Sequence, residues 1–507
     1  MKCQCSDIIS VTVQVHLTIV SDLGNFVLTD LLLNSIILRI SKVAGCSNAG
    51  IPTLNQVRKG AVFMSRYTKE EIIRKIEKEN INFIRMQFVD IFGQMKNLAI
   101  TASQMEKALS NKLTIDGSSI EGFTRIHESD QFLYPDFDTF SPVAWSTGHG
   151  KVARMFCDVY NPDGTPFVGD PRYVLKRTLQ KAADMGFTFN VGPECEFFLF
   201  DVDKDGAPTT HTRDVAGYFD LGPTDYGEAT RREVCLALES LGFEIEASHH
   251  ECAPGQHEID FKYGDALSSA DNIMTFKQTV KALAHRNGLH ATFMPKPIYG
   301  VAGSGMHTNM SLFDRSGKNV FFDPDGDRRL SRQAYNFIAG ILTHVKAITA
   351  IANPLINSYK RLVPGYEAPC YSAWSASNRS ALVRIPAARG QSTRVELRSP
   401  DPSCNPYLTL AVCLAAGLDG IQRNLMPPDE ITENIFDMDE ETRAANGIED
   451  LPSSLKMAMQ ELSRDQLMID TLGEHVYTQF MAGKEKEWME YKTRVSSWEL
   501  SKYLVQY

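Results

Sequence analysis

From residue 68 onward, apolar positions switch between helical and strand spacing. Thr68-Lys69-Glu70-Glu71 is a capping box, and Ile72, Ile73 and Ile76 behind it fall on one helical face. Residues 81–92 alternate at Ile84, Met86 and Phe88, which predicts a strand. Gly93 turns the chain, residues 96–101 read as a returning strand, and a short helix is expected near 103–110. The stretch Asp116-Gly117-Ser118-Ser119-Ile120-Glu121-Gly122 reads as a loop, and residues 151–160 as a last strand. Asn161-Pro162-Asp163-Gly164-Thr165-Pro166 closes the segment with turn residues. The pattern predicts a small α+β domain over 64–166.

A second domain, 167–507, opens at Asp170-Pro171-Arg172 with a helix reaching Met185. Strands are expected at 194–201, 289–295 and 306–313, and helices at 269–287 and 331–351. Residues 361–398 read as loop-rich and dense in Arg and Pro, and 406–507 as mainly helical. Residues 244–261, EIEASHHECAPGQHEIDF, alternate apolar and polar positions on either side of Pro254-Gly255. They predict two short strands joined by a loop. Acidic side chains on such strands recur on one face, which suits either a metal site or a charged surface hairpin.

Residues 1–63 are rich in Val, Ile and Leu, without the basic start or apolar core of a signal peptide. Val11–Val20 and Leu31–Ile40 each read as a strand or short helix. Arg58-Lys59-Gly60 is encodable by a purine run of the kind that binds bacterial ribosomes, shortly before Met64. The natural start is therefore expected at Met64, with the first 63 residues a translated upstream region outside the native fold.

A net charge of -10 without a basic block argues against nucleic acid or an anionic membrane as the main partner. No uninterrupted apolar run reaches transmembrane length. The ten cysteines form no CxxC pair, which points to reduced thiols in the cytoplasm.

Three further constellations carry chemistry. Glu194 and Glu196 share one strand face, and Phe197 to Phe200 behind them imply burial. Two buried carboxylates side by side call for a cation. Gly303-Ser304-Gly305 precedes a strand on which His307, Asn309 and Ser311 share a face, and glycines there permit close approach to a ligand. Arg394, Glu396 and Arg398 alternate with Val395 and Leu397, forming either a site or a surface salt-bridge ladder. Arg361, Arg379, Arg384 and Arg389 lie just upstream. Five Glu and one His on separate strands suit a pair of hard divalent cations, and the arginines beside them suggest phosphoryl transfer.

In this order the motifs resemble glutamine synthetase of the bacterial type I family. They are DGSSIEGF from Asp116, NPDGTPF from Asn161, GPECEFF from Gly192 and HHECAPGQHEIDFKY from His249. Lys296-Pro297, GSGMH from Gly303, NSYKRLVPGYEAP from Asn357, NRS from Asn378 and RVELRSPD from Arg394 follow. The resemblance implies a β-grasp domain followed by a catalytic domain whose antiparallel strands form a funnel surrounded by helices. It implies a homo-dodecamer of two stacked hexamers with active sites between neighbours, and ATP-dependent ligation of ammonia to L-glutamate through γ-glutamyl phosphate. Glu196, Glu251 and Glu258 would hold one Mg²⁺ or Mn²⁺, and Glu194, His307 and Glu396 the other. Gly303, Arg361, Glu367, Arg379 and Arg398 would meet the substrate. Glu246, Asn309, Ser311, Arg379 and Arg384 would meet ATP. Asp116 would take a proton from ammonium in a neighbour's site, and Glu367 would close a flap against water.

Two departures carry expectations. Ala302 stands where the family usually has Asn, which removes a side-chain contact to glutamate. Phe436 replaces the Tyr that some type I enzymes adenylylate. The sequence is similar to the branch inhibited directly by glutamine, with Arg125 at a feedback position and nitrogen-regulating transcription factors as partners. A ligase of the same fold acting on a larger amine is the competing enzyme reading. A non-catalytic scaffold is the competing reading of another class, and such a scaffold should have lost metal ligands.

Overall fold

The computed structural model describes residues 66–123, 130–143, 145 and 150–507. The elements expected at Val11–Val20 and Leu31–Ile40, the start at Met64, and Arg125 lie outside the described residues.

The capping box forms as the sequence dictates. Thr68 accepts from the Glu71 amide, Glu71 accepts from the Thr68 amide at 2.7 Å, and helix α1 runs Lys69–Glu79. Six strands follow: β1 (Ile81–Val89), β2 (Met95–Thr101), β3 (Leu113–Asp116), β4 (Asp130–Pro135), β5 (Ser141–Pro142) and β6 (Lys151–Tyr160). Their order is β2-β1-β6-β4-β3, with β5 beside β6. β1 and β6 run parallel and the other pairs antiparallel, a β-grasp arrangement. The pattern reading missed β3, β4 and the short β5.

Helix α2 (Pro171–Asp184) starts on Asp170, whose side chain accepts from the Arg172 amide. Arg172 itself is buried and joins Asp136 and Asp158 of the first domain to Asp271 of the second, at 2.6, 2.6 and 2.9 Å. The second domain holds β7 (Phe187–Asp201), α3 (Glu228–Ser240), β8 (Ile245–His250), β9 (Gln256–Phe261), β10 (Gly264–Asp265) and α4 (Ala266–Arg286). Then come β11 (Leu289–Thr292), β12 (Met306–Asp314) and α5 (Arg332–Ala352). Short strands β13 (Tyr371–Ser372), β14 (Trp374–Ser375), β15 (Val383–Arg384) and β16 (Val395–Leu397) lead to α6 (Pro406–Gln422). The remainder is mainly helical, apart from β17 (Glu449–Asp450), which pairs with β13.

The main sheet runs β14-β15-β16-β12-β7-β9-β8, with β10 and β11 also on β7. All its pairs are antiparallel except β14 with β15. β7 begins seven residues before the expected strand. Gly192-Pro193 lies inside this strand although proline donates no ladder bond. The β12 pairing nevertheless continues through it to Phe187. Helix α3 was not expected at all.

Helices α5 and α6 form the core of this domain. A Cβ on Gly340 would lie 2.1 Å from the Ala416 carbonyl oxygen, so only glycine permits this approach. By length and composition α5 is apolar enough to cross a membrane, but its residues are largely buried against its neighbours here.

Candidate active site

β7 is the hub. Glu194 and Glu196, two residues apart, face the same side of the sheet. In the ladders, Glu194 stands opposite His307 on one side and Asp260 on the other. Glu196 stands opposite Glu258, and Asn309 opposite Glu396. Strand pairing thus gathers residues up to 202 positions apart (194 to 396).

Glu194, His307 and Glu396 place ligand-type atoms within 4.8 Å of one another. His307 Nδ1 lies 3.2 Å from Glu194 Oε2 and 3.9 Å from Glu396 Oε1, while its Nε2 lies 4.0 Å from Glu196 Oε1. Burial works to raise the Glu194 carboxyl, but hydrogen bonding to His307 and Asn309 holds it down at about 2. Burial, then the Arg398 charge, push the His307 imidazole down, so it is neutral with a lone pair to offer.

Glu396 is fully buried between two arginines: Arg398 donates to Oε1 and Arg384 to Oε2, each at 2.6 Å. That burial excludes the surface ladder. Arg394 donates instead to Asn309 Oδ1 at 2.9 Å, and Asn309 donates to Glu194 Oε1 at 2.9 Å.

Glu196, Glu251 and Glu258 are all buried, which likewise excludes the surface hairpin. Burial and the charge of Glu251 push the Glu196 carboxyl up to about 8. Burial, then Glu196 and Asp260, push Glu258 well above the usual range. Glu196 and Glu258, buried beside each other and resisting ionisation, present the chemistry a divalent cation relieves. Glu196 Oε2 already accepts from Gln256 Nε2 at 2.8 Å and from the Gly305 amide at 2.9 Å, fixing its direction. His249, not expected as a ligand, lies 3.5 Å from Glu251 and 3.9 Å from Glu258.

Gly305 lies where the two sets meet. A Cβ there would fall 2.6 Å from Arg361 Nη2, 3.1 Å from His307 Nε2 and 3.2 Å from Glu196 Oε1. The space is a cradle that any larger residue would fill. Arg361 is buried and anchored on the carbonyls of Arg398 and Ser399. At Gly303 a Cβ would meet the Pro295 carbonyl at 2.3 Å.

Beside Glu194 opens a cavity of 440 Å³ lined by Glu246, Asn309, Ser311, Tyr263 and Arg394. This volume suits a nucleotide-sized ligand. Glu246, Asn309 and Ser311 line it together, while Arg384 reaches toward Glu396 instead. Arg379 is exposed, and its charge acts on the Tyr218 hydroxyl together with those of Glu251 and Glu258. Tyr218 therefore belongs to the mouth of the site. Sequence reading missed it because its loop, 202–227, shows no periodicity.

Glu367 is exposed with φ 63, a left-handed conformation that is strained for glutamate. Burial, then the Glu367 charge, push the Cys252 thiol up to about 12, so the Glu367 charge is felt at the hairpin tip. Asp116 accepts from Ser118 at 2.6 Å and Ser119 at 3.0 Å, and these bonds hold its carboxyl below the usual range. Ala302 packs against Phe198, Phe200 and Ala253, and Phe436 against Tyr371.

Carboxylates and one imidazole converging beside a nucleotide-sized cavity, with arginines at hand, are the parts of a metal-dependent phosphoryl-transfer enzyme. Comparison with known proteins narrows the class. The family models described as glutamine synthetase, beta-Grasp domain, and glutamine synthetase, catalytic domain, match residues 80–162 and 168–503. A glutamine synthetase of Clostridium saccharobutylicum is 60% identical over 444 residues, 88% of this chain and 100% of the relative. One from Staphylococcus epidermidis is 56% identical over 87% of this chain and 99% of the relative. A solved GmaS/ADP complex superposes with a TM-score of 0.78 at 33% identity, covering 86% of this chain and 99% of that one. The chain belongs to the glutamine synthetase family. Its activity is the ATP-dependent ligation of ammonia to glutamate, giving glutamine.

Proposed function

We propose that this reaction runs at the cleft between β7, β9, β12 and β16, with each residue in a defined role. Glu194, His307 and Glu396 hold one divalent cation, and Glu196, Glu251 and Glu258 a second, Mg²⁺ or Mn²⁺ in each case. Bound there, such cations supply charge neutralisation at the transferring phosphate. The observation that carries the reading is the Glu194–His307–Glu396 cluster opening onto the cavity lined by Glu246, Asn309 and Ser311. The ADP held by the GmaS neighbour supports an adenine nucleotide in that cavity.

Within this frame Arg361 and Arg398 grip L-glutamate, with the Gly303 backbone beside it. Arg379 and Arg384 meet the phosphates. Both guanidinium groups nearest Glu396 have to turn toward ligand, since Arg384 and Arg398 now rest on that carboxylate. Asp116 of one subunit takes a proton from ammonium in the next subunit's site. Glu367 closes the flap and removes a further proton, keeping water from the acyl phosphate. The assembly is a cytoplasmic dodecamer of two stacked hexamers, built from a β-grasp domain (64–166) and a catalytic domain (167–507). Glutamine inhibits it directly through Arg125, and nitrogen-regulating transcription factors bind the inhibited form.

Phosphate release by protein starting at Met64, and by the full chain, tests the reading. Release is expected to require ATP, glutamate and ammonium together, to need Mg²⁺ or Mn²⁺, and to fall when glutamine is added. Preference for a bulky amine over ammonium would defeat it.

A further inference from the structure

Behind the hairpin formed by β8 and β9 lies a second group of ionisable side chains that no step above uses. Asp214, Asp225, His250 and His257 are buried and bring ligand-type atoms within 4.8 Å of one another. The composition is that of a metal site, but most of its polar atoms are already hydrogen-bonded. His250 donates from Nε2 to Asp214 Oδ1 at 2.9 Å and from Nδ1 to the Glu251 backbone carbonyl at 2.6 Å. Asp214 also accepts from the Ala216 and Tyr226 amides. Arg231 donates to Asp225 Oδ2 at 2.8 Å, to His257 Nδ1 at 2.9 Å and to Ser248 Oγ at 3.0 Å. Since arginine has no acceptor, His257 Nδ1 is the accepting nitrogen. The guanidinium stands where a cation would.

These bonds tie four pieces of chain together. Asp214 and Asp225 belong to the 202–227 loop, Arg231 to α3, Ser248 and His250 to β8, and His257 to β9. His250 and His257 immediately precede Glu251 and Glu258. Successive side chains on a strand point to opposite faces, so His257 packs to the rear against Phe197 while Glu258 faces the cleft. At Glu251 the strand ends, and its peptide is fixed twice: its amide donates to the Gln256 carbonyl at 2.8 Å and its carbonyl accepts from His250. Glu196 and Glu258 face each other across the β7–β9 ladder, so the spacing of Glu251 and Glu258 from Glu196 depends on where the hairpin is held. The β7–β9 ladder holds one edge of the hairpin, and the bonds to the 202–227 loop and α3 hold its rear.

We propose that Asp214, Arg231, His250 and His257 are positioning residues that clamp the hairpin from behind, holding Glu251 and Glu258 at cation-binding separation before a cation arrives. The inference rests on the assignment of Glu251 and Glu258 as metal ligands. The same clamp sets Tyr218, four residues beyond Asp214, over the site. Partners that orient metal ligands in this way typically contribute 10- to 100-fold in metal affinity.

The test uses the full chain and Mn²⁺ as probe, with bound metal counted from the electron paramagnetic resonance of the free ion. Asp214→Asn and Arg231→Lys attack opposite ends of the clamp, so a folding failure in one leaves the other. Both are expected to raise the Mn²⁺ concentration at half-filling by about 10- to 100-fold. Stoichiometry stays unchanged, and kcat recovers at saturating Mg²⁺. Leu238→Ala, in the core under the same helix, is the control for general destabilisation and is expected to leave the Mn²⁺ curve in place. Parent-like binding by both clamp variants overturns the proposal, as does an equal shift in Leu238→Ala. Glu251→Gln separates the two readings. If it loses no Mn²⁺, the ligand assignment itself fails. If it loses Mn²⁺ while the clamp variants bind normally, only the clamp fails.

Discussion

Glu196 and Glu258 stand directly opposite each other on β7 and β9, both buried. Like charges so placed repel, and burial adds to the cost, so Glu196 titrates at about 8 and Glu258 well above the usual range. A carboxyl raised in the folded state binds a proton that the unfolded chain has already lost. From about pH 4.5 to pH 8, metal-free stability therefore falls as pH rises. Cation binding must expel those protons. The rise in melting temperature on adding Mg²⁺ to chelator-treated protein is expected to grow between pH 5 and pH 8. Calorimetry in buffers of different ionisation enthalpy should register proton release. A pH-independent increment without proton release would contradict the assignment.

Glu396 neutralises Arg384 and Arg398 while facing His307. Glu396→Ala leaves buried guanidinium charge unpaired and is expected to cost about 3–5 kcal/mol of stability, with one equivalent of Mn²⁺ lost. Glu396→Gln, of similar shape, should keep more stability and still lose the metal. Denaturant unfolding and metal counting on the two variants separate these effects.

The cradle at Gly305 gives a steric prediction. Gly305→Ala drives a methyl group against Arg361 and His307. Overpacking of this kind costs about 1–3 kcal/mol, and here the displacement falls on proposed substrate and metal contacts. Far-ultraviolet dichroism should remain native while synthetase activity is largely lost.

At Glu367 strain and function are expected to separate. Glycine takes φ 63 without penalty. Glu367→Gly should therefore hold or raise the melting temperature while releasing more phosphate than glutamine, because the acyl phosphate meets water. Equal phosphate and glutamine yields would argue against the flap role.

His344 makes a pH-dependent structural tie remote from this chemistry. Its ring sits between Asp465 at 2.6 Å and Asp419 at 3.2 Å, joining α5, α6 and the cap of the Gln466–Leu472 helix. Burial works to lower this imidazole, but the two carboxylates outweigh it and raise it above its usual value. The stabilisation is present below pH 6.5 and lost as pH rises through the higher folded value. His344→Gln is expected to cost about 1.5–3 kcal/mol near pH 6 and much less at pH 9, measured by urea unfolding at both.

How much was readable in advance follows physical range. Thr68 with Glu71, and Asp170 with Pro171, set helix starts through bonds within three residues. Alternation marked β1, β8, β9 and β12, because apolar and polar side chains alternate between neighbouring residues. The main chemical residues were legible as types: carboxylates amid aromatic runs announced a buried charge needing a cation. Three things were not legible. Gly192-Pro193 hid the first half of β7, since its pairing with β12 decides the strand against local preference. Tyr218, Asp214 and Asp225 lie in an irregular loop, and only tertiary bonds give them a place. Arg384 and Arg398 settle on Glu396 because the fold buries that carboxylate completely. Sequence alone determined which residues carry charge, which faces are apolar and where helices begin, all local properties. The tertiary structure decided which carboxylates face one another and what holds them there, because strand register and burial arise only when distant segments pair.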